Sequence, residues 1–311
     1  MRSILVPPPM GDGTTRRRGG RPTQRSYASA VADPDWWLPD QPWRVKIERA
    51  DAHIADLKAR IAEYQDRGPF EVRYEATDED DWQRVRLVMT EPIPPVLSAV
   101  IGDVAHNLRS ALDSVAYALA RQDFDGEWTE QHEAAPAFPV RRNGQEFEKF
   151  FAPRRNMPEG TFSQRAQDAL RFVQPFYWAE QYPGTSDPAT LDDEFKFSTL
   201  RLIQHASNVD KHRRLLVAAW TPTIFYWGSD GGTARRMVGP RSGDDADVIA
   251  YQYDPPEGST DTEVTWEIEL VLRESGFPDD RALTDVVDGW RQSTWFAVQS
   301  IFSVWGNPAK P

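Results

Sequence analysis

The chain contains no cysteine, which excludes disulfides, thiolate zinc sites and cysteine nucleophiles together. Histidine is scarce, five in 311 residues, so any metal would have to be held by a few imidazoles and carboxylates. Lysine is scarce too: six against thirty arginines, a balance we read as the mark of a GC-rich bacterial genome. No apolar run approaches the roughly 20 residues needed to cross a bilayer, and "ILVPPP" near the start is too short and proline-rich for a signal peptide. A soluble, cytoplasmic chain with no membrane partner is expected. The net charge of −12 argues against a surface that coats nucleic acid, although a local basic patch stays open. A phosphate-cradling loop is also missing, because "GSDGGTARR" lies between strand-like runs and opens no helix.

The remaining composition is that of a globular protein, 40% hydrophobic and 27% charged with twelve Trp. Residues 1–38 stand apart as a Pro-, Gly- and Arg-rich tail without hydrophobic periodicity, expected to be disordered; its arginines would suit an acidic partner. Residues 39–311 read as one domain. Asp40 is placed to cap, and Pro42 to open, a helix along which Ile47, Ile54, Leu57, Ile61 and Tyr64 recur at helical spacing. Val72, Tyr74 and Ala76, then Val85, Leu87 and Met89, alternate around the acidic turn 78–81, the pattern of a hairpin. Pro92, Pro94 and Pro95 launch a long helix, "EFEKFF" and "SQRAQDALRFVQPF" suggest two shorter ones, and another starts at Phe197. From Arg214 onward "LLVAAW", "TIFYW", "DVIAYQY" and "EVTWEIELVLRE" read as four strands, followed by a terminal amphipathic helix through Leu283, Val287, Trp290 and Trp305. The expected class is α+β: a helical bundle core, an N-terminal β-hairpin, and a C-terminal antiparallel meander followed by a long helix.

One helix is chemically pointed. In "GDVAHNLRSALDSVAYAL", residues 102–119, Leu97, Ile101, Val104, Leu108, Leu112, Val115 and Leu119 form an apolar face. His106, Arg109, Asp113 and Tyr117 fall opposite, within about 80° of one another at about 100° per residue. If the helix from Phe197 runs to about residue 213, Arg201, His205, Asn208 and His212 form a second stripe that could face the first. Segment 208–212 is alternatively the turn into the strand at 214.

These residues carry a resemblance. "HNLRSALD" with "NVDKHR" about 100 residues on, together with "FPV" at 138–140 and "VQPF" at 173–176, resembles a widespread family of uncharacterised bacterial proteins with "HNLRSALDH" and "NIDKHR" signatures. The likeness spans roughly residues 44–220. It extends more distantly to HEPN ribonucleases, helical bundles whose motif is an Arg followed about four to six residues later by a His. That resemblance implies Arg109 as the motif Arg and a His near position 114, where this chain has Ser114; Arg201 and His205 have only three residues between them.

Three readings follow. In the first, His106, Arg109 and Asp113 join Asp210 and His212 in a buried inter-helix network of a non-catalytic binding module. In the second, the same site handles RNA or a nucleotide. His106, Arg109, Asp113 and His212 are then the candidate catalytic residues, and Asn107, Asn208, Asp210, Lys211 and Arg213 the candidate ligand-binding ones. The third is a metal site of His106, Asp113, Asp210 and His212. No cofactor is implied, and a homodimer is compatible with all three. His53 and His132 read as exposed or structural.

Overall fold

The computed structural model describes residues 41–76, 83–134, 136–153, 157–181, 198–228, 247–253, 262–274, 276–277 and 281–306. The tail 1–38, Asp40, the acidic turn 78–81 and nearly all of "GSDGGTARR" lie outside the described residues. The class is α+β, and the core lies between helices.

Helix α1 (Pro42–Asp66) buries Trp43, Ile47, Ala50, Ile54, Leu57, Ile61 and Tyr64, the stripe read from the sequence. Its N-cap is Gln41, which makes no side-chain cap bond, and Pro42 at the first helical position needs no amide partner. Helix α2 (Val96–Asp123) is the central element. Leu97, Ile101, Val104, Leu108, Leu112, Val115 and Leu119 are fully buried, and so are Ala105, Ala111, Ala116 and Ala120. Those alanines widen the buried face and let neighbouring helices approach closely, so α2 is enclosed around most of its circumference.

Short helices α3 (Glu130–Ala134), α4 (Gly144–Phe151), α5 (Gln164–Phe172) and α6 (Tyr177–Gln181) follow, then α7 (Thr199–Asp210) and the terminal α8 (Leu283–Trp305). Asn143 caps α4 by accepting from the Glu146 amide at 2.9 Å, and Ser163 caps α5 by accepting from Ala166 N at 3.0 Å. Helix α8 lies antiparallel to α1. Trp43 meets Trp295 and Phe302, Arg291 grips Asp51 through bonds of 2.9 and 3.1 Å, and Lys58 reaches Asp288 at 2.7 Å. The apolar contacts supply most of the stabilisation here, since the ion pairs are part-exposed and screened.

Strands β1 (Phe70–Ala76) and β2 (Gln83–Met89) form the expected hairpin, with Val72 opposite Leu87 and Tyr74 opposite Val85. The C-terminal strands do not form a meander. The runs "LLVAAW" and "TIFYW" are one strand, β3 (Val217–Gly228), whose register shifts between Trp220 and Thr223, around Pro222, which has no amide hydrogen to give a ladder. This strand pairs antiparallel with β5 (Thr262–Leu272), whereas β4 (Asp247–Tyr253) crosses to pair with β2. The result is two sheets, β1-β2-β4 and β3-β5. Alternation in a strand sets which positions share a face but not which neighbour supplies its hydrogen bonds, and sequence adjacency favoured the wrong partner.

The β3-β5 ribbon is anchored at one end, where Leu270, Val271 and Leu272 are buried. There Glu274, buried on the chain just after β5, accepts from the Leu216 amide at 2.8 Å and takes Arg213 in a two-point fork at 3.0 and 2.8 Å. Glu274→Ala removes all three bonds at once and should destabilise the protein by about 2 kcal/mol, read as a lower denaturant midpoint at unchanged slope.

Candidate functional site

The polar stripe of α2 is divided along its length. At its centre Arg109 and Asp113, one helical turn apart, form an ion pair at 2.9 Å and hold the backbone of Phe138 through both its carbonyl and its amide. Arg109 Nη2 donates to the Phe138 carbonyl at 2.6 Å, and Asp113 Oδ1 accepts from the Phe138 amide at 2.9 Å. The guanidinium also lies over the Phe138 ring, 5.9 Å from its centroid. Only 14% of the Arg109 side chain is exposed. The next residues of the same segment are held from the turn just after α5. Buried Gln174 donates to the Pro139 carbonyl at 2.8 Å and accepts from the Arg141 amide at 3.1 Å. The segments "HNLRSALD", "FPV" and "VQPF" therefore meet in one hydrogen-bonded cluster.

One turn farther along, Tyr117 donates to Glu133, which also accepts from the Trp128 indole at 2.6 Å; these two donors hold the Glu133 carboxyl below its ordinary range. Buried His132 is packed between Phe124 and Trp128, and its Nδ1 accepts from the Thr129 amide at 3.1 Å. It is structural, as read from the sequence. Residue 114, where a catalytic imidazole would stand, is a serine whose hydroxyl donates back to the Ser110 carbonyl at 2.8 Å.

The upstream end of the stripe faces α7. Gly102 lies so close to Asp210 that an added Cβ would stand 2.2 Å from its carboxyl carbon, so a larger residue there requires the Asp210 side chain to move. Burial at this crossing raises the Asp210 carboxyl above its ordinary value; Asp103 raises it further, and His106 offsets part of the rise. His106 itself is exposed, and Asn107 is buried with its amide donating to the Asp103 carbonyl at 2.8 Å.

Helix α7 ends at Asp210, not near 213, so His212 sits in the turn that leads to β3. Asn208, Lys211, His212 and Arg213 are exposed, and Arg213 is committed to Glu274. Of the two predicted stripes, His106 is the member that reaches this crossing, beside Gly102, Asp103 and Asp210, which neither stripe included. Arg109 and Asp113 turn to residue 138 instead, and the five-residue network of His106, Arg109, Asp113, Asp210 and His212 is not assembled. The cause is the length of α7, which ends one turn too early to carry His212 along α2. The His106, Asp113, Asp210 and His212 ligand set is likewise not assembled: among the described residues no three His, Asp or Glu side chains gather where they could hold a metal. No described helix is long and apolar enough to cross a membrane.

Glu274 had no signal in the sequence, since it lies 61 residues from Arg213; Gln174 lies in the "VQPF" segment, but its partners 35 residues away fall within no helical or strand spacing.

Because the Asp210 carboxyl is raised in the folded chain, its favourable contribution is complete below the ordinary aspartate value and is lost as pH rises through the folded value. Asp210→Asn should therefore raise the melting temperature at pH 7 and give no gain in acid, where the wild-type carboxyl is already protonated. A thermal-melt series from pH 7 down to the acid range checks this; equal melting temperatures at pH 7 would count against it. Against models of known families, curated proteins and solved structures, the chain shows no match.

Proposed function

We propose that the chain is a non-catalytic interaction module and that its most distinctive motif is architectural. One observation supports this reading above others: the Arg109 guanidinium is mostly buried, and its Nη2 is held by Asp113 and the Phe138 carbonyl. An arginine that steadies a phosphate must present its donors to an incoming anion. Here Nη2 is taken by the protein's own groups, and Nη1 is buried without a hydrogen-bond partner, so neither faces solvent. His106, the nearest imidazole in sequence, stands one turn upstream on the exposed end of the stripe, beside carboxylates and not beside the arginine's donors.

The packing of α1, α7 and α8 around α2 supports a helical bundle of the general kind implied by the HEPN resemblance. Its catalytic use lacks the imidazole at position 114. A cytoplasmic setting is part of the same reading and rests on composition alone.

The test separates architecture from chemistry. Asp113→Ala frees the Phe138 amide and one side of Arg109, and should cost about 1–2 kcal/mol, less than a fully buried pair because the Asp113 carboxylate is part-exposed. His106→Ala should leave the melting temperature unchanged. The wild type should leave single-stranded and structured RNA intact over long incubation. RNA cleavage that disappears in a folded His106→Ala protein would overturn the reading.

A further inference from the structure

We infer that Asn143 and Gly144 form a conditional site of covalent backbone modification: the pair deamidates through a cyclic imide when the start of α4 opens, and Glu180 of α6 holds it from reacting while that start is closed. This inference does not depend on the polar stripe of α2.

Asn143 is the only asparagine of the chain that precedes a glycine. A glycine in that place leaves its own amide nitrogen unhindered, and this nitrogen is the nucleophile. It attacks Cγ of Asn143, and the side-chain nitrogen leaves as ammonia, carrying the proton that the Gly144 nitrogen gives up. Water then opens the five-membered imide at either carbonyl. Opening at Cγ restores the ordinary main chain with aspartate at position 143; opening at the backbone carbonyl leaves isoaspartate, which adds a methylene to the main chain. The reaction needs no other reactant, which is one reason asparagine counts among the thermolabile residues. Asn143 is exposed, so water reaches the imide once it forms.

The fold opposes ring closure on both sides of the bond. Closure requires the Gly144 nitrogen and the Asn143 Cβ to be nearly eclipsed about the Cα–C bond, and the extended ψ of 169° at Asn143 keeps them apart. Capping sets that angle: Asn143 Oδ1 accepts from Glu146 N at 2.9 Å, and the Asn143 carbonyl accepts from Phe147 N at 3.1 Å. The nucleophile is held as well. The Gly144 amide donates to Glu180 Oε1 at 3.1 Å, while Arg171 fixes the other oxygen of the same carboxylate at 2.6 Å. Arg171 lies over the rings of Phe147 and Phe176, 5.7 and 5.4 Å from their centroids, so this latch is seated on the core. A Cβ at position 144 would stand 2.5 Å from Glu180 Oε1 and 2.7 Å from Arg171 Nη2; the glycine that permits the imide also lets the pair close over the amide. The two products differ in consequence. Aspartate keeps an acceptor and a negative charge at the start of α4, where both are favourable. Isoaspartate displaces the acceptor and lengthens the chain, so the cap is lost two residues from Arg141, whose amide Gln174 holds.

Peptide mapping by mass spectrometry, on the full chain held in mildly alkaline buffer, reads aspartate and isoaspartate at position 143 against time. The folded wild type should convert slowly and the urea-unfolded chain fast. Glu180→Ala should convert about tenfold faster than the folded wild type, the rate equivalent of one hydrogen bond to a charged group. Glu148→Ala, which leaves the Gly144 amide held, should match the wild type. Equal rates for folded and unfolded wild type overturn the inference, as does a Glu180→Ala rate no faster than wild type. A slower rate in that variant, the sign of a carboxylate acting as base, overturns it too. Should Glu180→Ala fail to fold, the wild type in sub-denaturing urea decides. Conversion should then rise in step with hydrogen exchange of the Gly144 amide, and a rate that stays flat while that amide opens overturns the inference.

Discussion

Phe138 offers α2 both its amide and its carbonyl, and Asp113 and Arg109 take one each. The acid and the base are one turn apart on a helix, so their separation is set by helical geometry before the third partner arrives. The Phe138 N–H and C=O belong to the two peptide groups that flank its Cα, and the pair receives one from each. The Phe138 ring then fills the core, and Gln174 repeats the grip on the next two residues. An otherwise irregular segment is thereby held on two helices without any secondary structure of its own, its polar backbone satisfied where burial would be costly if it were not.

Electrostatics behaves differently at the two ends of the α2 stripe. At the centre, opposite charges meet each other and a peptide dipole, and every charge has a partner within bonding distance. At the Gly102 end, the Asp210 carboxylate presses against a helix backbone that offers no donor, with Asp103 alongside and His106 as partial relief. The first arrangement stabilises the fold; the second opposes it once the carboxyl ionises. Close approach of the Asp210 carboxyl to Gly102 is obtained at the expense of a poorly solvated charge.

The helices were legible in the sequence because burial enforces a period. The buried residues of α1, α2 and α8 are those that spacing selects, and the α1 start at Pro42 follows from proline chemistry. The hairpin was legible because two apolar sets alternate on either side of a turn. What sequence reading missed is non-periodic. It placed His106, Arg109 and Asp113 correctly on one stripe but could not say that the stripe would be shared between α7 and an irregular segment. A helix of twelve residues and one of fifteen carry the same local pattern, so the end of α7 at Asp210, and with it the separation of His212, was open. Pairing of β4 with β2 was hidden for the same reason: the partner of a strand is a long-range choice.

Sequence distance gives the grip on Phe138 a kinetic meaning. It closes a loop of 25 residues, whereas the contact of Arg291 with Asp51 closes one of 240. The chain entropy of loop closure grows logarithmically, so the longer closure costs about 2 kcal/mol more if nothing shortens it first. Docking 138–141 onto α2 and α5 is the cheaper event, and it consolidates the middle of the chain into one body. Helix α8 then meets a partly built surface, and the effective length of its loop back to α1 is much shorter than the sequence suggests.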